Sequence, residues 1–393
     1  MSPLAAPPHT GPNWDIVCRV VDFYGDAGVA LRLARGLARR AAARGMQRRV
    51  RLIVDSPTTI LRLIDPPPTA LTAVSAADDS GRRWIDPRSG VEIIDWSAVG
   101  SEPAQVVVET FGGGLPPSWQ GALAAHQAGG GRVVWINLEH LSAEQWVEGC
   151  HRLASPRGNG LDCHFLFPGF SRGTGGLLPP NPIAPQLPAP LQALLDAPYA
   201  GLTGSLFCYP QAATAALFDA IAHGPLPVRL LLPSGIATPI RDWPLGETEG
   251  SRLQRGLLEL RRIPFLDQDT YDSLLAACDL NLVRGEDSFV RAQWAARPLL
   301  WQAYRQAEDA QLDKLDAFIH ASAMPAPLAH LHSLWNSSAP HPKAGWRSAW
   351  LACCQEWPAL QAWSRNWRGQ LGQLPDLLSV LEEFVAEQLQ SPV

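Results

Sequence analysis

Residues 14–44 read WDIVCRVVDFYGDAGVALRLARGLARRAAAR, and this stretch decides the fold class. It begins with a short apolar run rich in β-branched residues, passes through a turn with two aspartates, and ends in an Ala-, Leu- and Arg-rich run that favours helix. The order predicts a buried strand, a glycine-containing loop and a helix. Such units build parallel sheets with helices on both faces.

The same pattern of apolar strand and polar or glycine-rich loop returns along the chain. In the first half it recurs at RVRLIVD (49–55), QVVVETFGG (105–113) and RVVWINLEH (132–140). In the second half it recurs at SLFCYP (205–210), VRLLLPSG (228–235), LELRRIPFLDQ (258–268) and DLNLVRGEDS (279–288). The repetition predicts an α/β protein with two α/β halves.

A proline-rich segment separates the halves. GLLPPNPIAPQLPAP (176–190) contains six prolines, which cannot continue a helix or a central strand. We therefore predict a first domain over 14–178, a linker over 179–190 and a second domain over 191–365. In two-domain α/β enzymes a terminal helix can pack back on the first domain, and we assign 366–393 to such a helix.

Composition limits the functional class. The 393 residues carry a formal net charge of -5, with 46% hydrophobic and 18% charged residues, which does not indicate nucleic-acid or membrane binding. The proline-rich start, MSPLAAPPHTGPN, resembles neither a signal peptide nor a membrane span, and we interpret it as a frayed tail. Seven cysteines without CxxC spacing predict reduced thiols of a cytoplasmic protein rather than disulfides or a zinc site.

Two aspartates and two glycines mark the end of the first predicted strand: Asp22, Gly25, Asp26 and Gly28. Open α/β sheets bind ligands at the carboxyl ends of their strands, so the carboxylates are placed for chemistry. The alternative is structural, with Asp26 capping the helix and Asp22 bonding the turn backbone. The local pattern favours neither. GxGxxG and P-loop motifs are absent, which argues against a dinucleotide dehydrogenase or a kinase.

A second constellation is RGEDS, 284–288, again between an apolar strand and a helix. The amides at a helix N-terminus can hold a diphosphate, assisted by Arg284 or Ser288. Glu286 and Asp287 then accept hydrogen bonds from sugar hydroxyls. The alternative is capping by Asp287 or Ser288 with a surface salt bridge.

Aromatic residues end another predicted strand. Alternation puts Phe207 and Tyr209 on one side of the chain, where two rings can sandwich a nucleobase; the alternative, two core aromatics, is favoured by residue type alone. Gln268 can hydrogen-bond a base edge or serve as a loop or cap residue. The loops TFGGG (110–114) and PGFSRGTGG (168–176) can approach a ligand or be simple turns. His140, His151 and His164 lack metal-ligand spacing and are assigned structural or solvent roles.

Several longer motifs together resemble, in order, the bacterial protein-arginine rhamnosyltransferases that modify elongation factor P. They are WDIVCRVVDFYGDAGVALRLARGLA, ETFGGGLP, WINLEHLSAEQWVEGCHRLASP, FLFPGFSRGTGGLL, SLFCYP and YDSLLAACDLNLVRGEDSFVRAQWAARPLLW. The resemblance implies a GT-B fold, with two Rossmann-like domains facing across a cleft. It also implies inverting transfer of L-rhamnose from dTDP-β-L-rhamnose to one arginine of elongation factor P, in the cytoplasm, which activates that factor for ribosomes stalled at polyproline.

The family's functional residues carry over to positions that match its motifs. Asp22, Asp26 and Glu286 correspond to its essential acidic residues. Its donor pocket corresponds to Gly25, Phe207, Tyr209, Gln268, Arg284, Gly285, Asp287 and Ser288. The chain departs from the family at two places: the usual Asp-Asn-Phe-Gly-Asp reads DFYGD (22–26), and the usual His and Pro after Trp301 are missing from QAYRQ.

An arginine guanidinium is a poor nucleophile, because its pKa is above about 12 and its lone pairs are delocalised. We therefore hypothesise that Asp22 is the general base, that Asp26 holds the guanidinium, and that Glu286 positions the donor. The RGEDS helix would stabilise the departing diphosphate, without a metal. Two alternatives remain: a nucleotide-sugar enzyme of the same fold that acts on another acceptor or epimerises its sugar, and a non-catalytic module that binds elongation factor P.

Overall fold

The structure, a computed structural model, describes residues 11–67, 69–70, 82–158, 160–181, 185–236, 240, 242–306 and 309–390. These residues form two compact units. Unit 1 comprises the chain up to Pro179 together with the residues from Leu374 onward, and unit 2 comprises Pro180–Gln373. Both units alternate strands and helices, so the α/β prediction is confirmed. Within the described ranges no helix is long and apolar enough to cross a membrane.

Unit 1 is built on a sheet of mainly parallel strands. Its strands are β1 (Trp14–Cys18), β2 (Val50–Val54), β3 (Thr69–Ala70), β4 (Arg83–Ile85), β5 (Glu92–Asp95), β6 (Val106–Thr110), β7 (Val134–Leu138), β8 (Ala154–Pro156) and β9 (Asp162–Leu166). The helices that lie between these strands in sequence are α1 (Phe23–Ala43), α2 (Pro57–Arg62), α3 (Trp119–Ala128) and α4 (Trp146–Cys150), with a 3₁₀ turn at Trp96–Ala98.

The strand order of this sheet is β3-β4-β5-β2-β1-β6-β7-β9-β8, in which the pairs β3–β4, β4–β5 and β8–β9 are antiparallel. The central strands are buried on both faces, since helices cover them, and this explains their unbroken apolar runs. Trp14 of β1 is in register with Val50 of β2 and Val106 of β6. In the strand order, β2 and β5 lie on one side of β1, and β6 and β7 lie on the other. The order of the strands therefore reverses at β1, and the carboxyl end of β1 is a topological switch point.

Unit 2 repeats the architecture with a smaller sheet. Its elements are α5 (Ala189–Asp196), β10 (Leu202–Leu206), α6 (Thr214–Ala222), β11 (Val228–Pro233), β12 (Arg252–Arg255), β13 (Leu258–Ile263), α7 (Gln268–Ala277), β14 (Leu280–Arg284), α8 (Asp287–Trp294), β15 (Leu299–Gln302), α9 (Gln311–Ala321), α10 (Ala326–Asn336), α11 (Lys343–Gln355) and α12 (Trp357–Leu371). The strand order is β12-β13-β11-β10-β14-β15, with β12–β13 the antiparallel pair. The switch point lies between β10 and β14.

The last helix, α13 (Leu377–Gln390), belongs to unit 1. Arg40 of α1 bonds Asp376 at 2.6 Å, and Arg48 bonds Glu382 at 2.7 Å. A Cβ on Gly36 would lie 2.6 Å from the Leu378 side chain, so the glycine permits the close helix packing. The apolar face of α13 and these ion pairs together dock the helix.

The predicted domain boundaries differ from the structural units in one place. Residue 365 lies inside α12, whose packing continues unit 2 as far as Gln373. The first change of unit falls between Pro179 and Pro180, within the proline-rich segment, of which residues 182–184 lie outside the described residues. Residues 1–10 of the proposed frayed tail also lie outside them. The seven cysteines are free thiols.

Candidate functional site

The aspartate pair follows β1 at the switch point of unit 1. Asp22 occupies the N-cap position of α1, and its side chain makes no cap hydrogen bond. Asp26, one turn into the helix and 6% exposed, reaches back instead: its Oδ2 accepts the backbone N–H groups of Val21 and Asp22, both at 2.8 Å. The structural alternative given in the sequence analysis had Asp26 as the cap of the helix and Asp22 bonded to the turn backbone, which is the reverse. Asp26 therefore fixes the loop that carries Asp22.

Gly25 makes room for the Asp22 carboxylate. A Cβ built on Gly25 would lie 3.1 Å from Asp22 Cγ and would clash with Asp22 Oδ2. The Gly25 N–H also donates to the Asp22 carbonyl at 2.6 Å. The glycine is needed here because the neighbouring carboxylate folds over it, and its backbone needs no positive φ.

Asp55, at the end of β2, supports the same loop from the neighbouring strand. Its Oδ1 accepts the Val20 N–H at 2.9 Å, so three consecutive amides, those of Val20, Val21 and Asp22, are held by carboxylates. Burial raises the pKa of the Cys18 thiol to about 12, and the Asp26 and Asp55 carboxylates add to the shift. The thiol is therefore not a nucleophile. Asp55 was not predicted as a site residue, although its position directly after an apolar strand was a usable signal.

The TFGGG loop follows β6, the neighbour of β1. Phe111 has φ +59°, and its ring stacks on His140 with centroids 4.4 Å apart. A Cβ on Gly113 would lie 3.0 Å from Arg19 Cβ, so this loop approaches the residue that leads into the Asp22 loop. The carboxyl ends of β1, β2 and β6 thus bring these loops together.

His151 and His164, the other two histidines singled out in the sequence, contact protein groups. His151 Nδ1 accepts the Phe167 N–H at 3.1 Å, and burial lowers the His151 pKa to about 4. The His164 ring lies edge-on to Phe384 of α13, with centroids 5.1 Å apart. The loop 168–176 is closed by a bond from the Gly169 N–H to the Gly176 carbonyl at 3.2 Å.

In unit 2, the ends of β10 and β14 meet at the second switch point. The Arg284 guanidinium lies over the rings of both Phe207 and Tyr209, with Cζ 4.4 Å from each centroid. Cation–π contacts at this distance are attractive, and they hold the three side chains as one group. Tyr209 is buried and Phe207 is half-buried. The two aromatics therefore do share a side of the chain, and Arg284 shares it with them.

The RGEDS turn is closed by its own residues and by β15. Gly285 has φ +58°, a conformation that favours glycine. Ser288 Oγ accepts the Arg284 N–H at 3.1 Å and donates to the Arg284 carbonyl at 2.5 Å. Trp301 Nε1 donates to the Gly285 carbonyl at 2.8 Å. Glu286 is the N-cap residue of α8, where the sequence had suggested Asp287 or Ser288.

Gln268 lies beside the start of α8. Its Nε2 donates to Asp287 Oδ2 at 3.3 Å, and Asp267, not Gln268, is the N-cap of α7. Tyr271, one helical turn further, lies edge-on to Phe207 with centroids 6.1 Å apart. The sequence interpretation passed over Tyr271, although its spacing of three residues from Gln268 puts both on one helix face.

The altered loop after Trp301 adds an aromatic side chain. Tyr304, which is 46% exposed, lies edge-on to Tyr209 with centroids 5.6 Å apart. Gln302 Oε1 accepts the Tyr209 N–H at 2.8 Å. The segment QAYRQ therefore supports the aromatic group. Over the part of the chain that the structure describes, no cluster of three or more His, Cys, Asp or Glu is placed to hold a metal ion.

The family described as Elongation-Factor P (EF-P) rhamnosyltransferase EarP matches residues 14–386. A protein-arginine rhamnosyltransferase of Pseudomonas putida is 39% identical over 400 residues, which cover 96% of this chain and 99% of the relative. The enzyme of the same name from Pseudomonas aeruginosa is 37% identical over 396 residues, which cover 96% of this chain and 100% of the relative.

Solved structures give the same relationship. One, described as the structural basis for EarP-mediated arginine glycosylation of translation elongation factor EF-P, has a TM-score of 0.60 at 27% identity and covers 96% of this chain and 99% of its own. A spinosyn rhamnosyltransferase complexed with thymidine diphosphate has a TM-score of 0.54 at 10% identity over 95% of this chain and 100% of its own, a likeness of fold. The two units have the GT-B glycosyltransferase fold.

Proposed function

The chain belongs to the family of elongation factor P rhamnosyltransferases, and from this premise we propose how its residues carry out the transfer. It is a glycosyltransferase that rhamnosylates an arginine of elongation factor P. The observation that carries the proposal is the fixed loop at the switch point of unit 1, in which Asp26 accepts the Val21 and Asp22 amides and Asp55 accepts the Val20 amide. Because the acceptor is a translation factor, we place the reaction in the cytoplasm.

We assign the donor, dTDP-β-L-rhamnose, to unit 2. The half-buried ring of Phe207, held beside the buried Tyr209 by Arg284, offers aromatic surface for the thymine, and stacking of this kind contributes about 1–3 kcal/mol per base. Gln268, buried beside Asp287, is in position to hydrogen-bond a base or sugar group. Unit 2 is thereby the nucleotide-sugar unit.

We assign the diphosphate to the start of α8. The first amides of a helix have no intrahelical partner, and the helix dipole adds partial positive charge there. Ser288 and the Trp301 indole hold the RGEDS turn through Arg284 and Gly285 backbone groups, so these amides are preorganised. Glu286, at the N-cap, positions the rhamnose. The arrangement stabilises the negative charge that develops on the leaving dTDP.

We assign the acceptor guanidinium to Asp22 and Asp26. Asp22 accepts a proton from one guanidinium nitrogen as that nitrogen attacks C1 of rhamnose from the face opposite the dTDP oxygen. The new N–C1 bond forms while the C1–O bond breaks, dTDP leaves with the bonding electrons, and the configuration at C1 is inverted. Asp26 keeps Asp22 in position, and both carboxylates stabilise an oxocarbenium-like transition state.

Intact mass of elongation factor P after incubation with dTDP-rhamnose tests the proposal. A deoxyhexose increment on one arginine is the expected result. Binding without any increment would instead favour a non-catalytic module, and an increment with a different acceptor protein only would favour another substrate. Asp22→Asn should lower the single-turnover rate at saturating donor by about a hundredfold or more. A rate near that of the wild type would remove Asp22 as the base.

The donor assignment is tested by calorimetry with dTDP. Phe207→Ala should weaken dTDP binding by about tenfold, since one stacking surface is lost. Leu351→Ala, an exposed leucine on α11, is the control and should leave affinity unchanged. Equal affinity of wild type and Phe207→Ala would return Phe207 to a packing role.

A further inference from the structure

Two apolar side chains flank Asp22 and point into solvent. Val21 is 69% exposed and Phe23 is 66% exposed, which makes them the most exposed large hydrophobic residues among those the structure describes. Single exposed apolar residues are common on protein surfaces, but here both adjoin one carboxylate at the carboxyl end of the central strand. We call these three consecutive residues, Val21, Asp22 and Phe23, the lip.

Phe23 is also in a conformation that phenylalanine rarely adopts. Its φ is +32°, on the positive side where glycine and asparagine are common and bulky residues are rare. Its ring is tilted toward Tyr24 at a centroid distance of 6.4 Å and remains largely open to water. An aromatic residue at this position therefore costs conformational strain and buries little surface in return.

The lip is held rigidly although its side chains are exposed. The Val21 and Asp22 amides donate to Asp26, and the Val20 amide donates to Asp55. A surface whose backbone is fixed before binding loses little conformational entropy when a partner arrives. The backbone that carries the exposed ring and methyl groups is thus fixed next to the base.

We propose that the side chains of Val21 and Phe23 pack against the aliphatic stem of the acceptor arginine, that is, its three methylene groups. This inference rests on the proposed function. Val21 and Phe23 are the chain neighbours of Asp22, so two exposed apolar side chains are available next to the residue that receives the guanidinium, and the three methylene groups of the arginine can pack against them. Arginine commonly lays its stem on apolar surface while its charged end makes polar contacts, and the Phe23 ring also attracts the cation. The lip thereby adds affinity for the acceptor arginine.

Steady-state kinetics with elongation factor P as the varied substrate tests the lip. Each methylene removed from water strengthens binding by about fourfold, so partial loss of this contact in Phe23→Ala should raise the KM for elongation factor P about tenfold. The kcat and the KM for dTDP-rhamnose should stay within about twofold. Val21→Ser should act in the same direction and more weakly. An unchanged KM for elongation factor P in Phe23→Ala would overturn the proposal.

Two further variants separate contact from general surface effects. Leu153, 54% exposed, precedes β8, which lies four strands from β1, or about 19 Å, in the same sheet. Leu153→Ala should leave every kinetic constant unchanged. Phe23→Asn should raise the KM for elongation factor P while its thermal midpoint stays equal to or above that of the wild type, because asparagine tolerates positive φ. A lower midpoint with unchanged KM would assign Phe23 to folding alone.

A double-mutant cycle identifies the occupant. Affinities are measured by calorimetry for wild type and Phe23→Ala, each with elongation factor P and with a variant whose target arginine is replaced by alanine. We expect Phe23→Ala to weaken binding of the natural factor about tenfold and binding of the arginine-free factor by less than twofold. Equal weakening of both would overturn the arginine stem as occupant. The cycle requires no turnover, so absence of transfer would count against the proposed function and not against the lip.

Discussion

Replacing Gly25 by alanine should disable the site without destabilising the protein. The added Cβ would clash with Asp22 Oδ2 and lie 3.1 Å from Asp22 Cγ, so the carboxylate must swing away by roughly an ångström to restore ordinary contact. A displacement of that size at a reacting group lowers the rate by about a hundredfold. Gly25 is the third residue of α1, and alanine favours helix over glycine by up to about 1 kcal/mol. Activity and stability should therefore change in opposite directions.

Single-turnover transfer to elongation factor P, with dTDP-rhamnose saturating, measures the effect on the chemical step. The matched control is Gly121→Ala, since Gly121 is the third residue of α3 and has open space where its Cβ would stand. Both variants should keep or raise the thermal midpoint. Only Gly25→Ala should be slow. A Gly25→Ala rate within twofold of the control would refute the claim that the Asp22 carboxylate works from the position over Gly25.

Three other predictions follow from particular contacts. Asp26→Asn can still accept the two loop amides and should keep the thermal midpoint, whereas Asp26→Ala leaves two donors unsatisfied and should lower the free energy of unfolding by about 1–3 kcal/mol. Both variants should be slow in transfer. Equal thermal midpoints of the two variants would contradict the anchoring role of Asp26. Asp376→Asn weakens the ion pair to Arg40, and amide hydrogen exchange should become faster in α13 but not in α12; equal protection in α13 would exclude the contribution. Burial lowers the pKa of His332 from 6.5 to about 4. Between these pH values the unfolded chain binds a proton at this histidine and the native protein does not. The free energy of unfolding therefore falls as the pH drops through that window, by up to about 1.4 kcal/mol per pH unit. His332→Gln should show a shallower loss of thermal midpoint between pH 6.5 and 4.5, and an identical slope would refute this assignment.

The sequence was informative wherever the signal is local. The run from Trp14 to Arg44 defined β1, its loop and α1, because hydrophobic periodicity and helix propensity act over neighbouring residues. The same reasoning placed RGEDS between a strand and a helix, where β14 and α8 stand. It also put Phe207 and Tyr209 on one side of the chain, and both rings do contact the same guanidinium.

Local reasoning was less successful with the caps and boundaries. One of the two alternatives that it left open had Asp26 as the cap of α1, but Asp22 holds that position and Asp26 bonds the loop backbone. A cap is decided by a few dihedral angles that neighbouring strands help to set, and Asp55 on β2 is one such influence. The boundary at residue 365 missed the end of α12 for a similar reason, since nothing in the helical pattern marks which unit a helix packs against.

The sequence by itself determined that the chain alternates strands and helices, that acidic and glycine-rich loops follow the strands, and which family its motifs resemble. Only the tertiary structure decided which loops become neighbours. Arg284 reaches Phe207 because β10 and β14 pair although their paired residues are 76 positions apart, and Asp55 reaches Val20 because β1 pairs with β2. Strand order is set by the packing of distant side chains in a shared core, and no periodicity within one segment encodes it. The exposure of Val21 and Phe23 beside Asp22 is a result of the same kind, since only the folded surface shows which apolar residues remain uncovered.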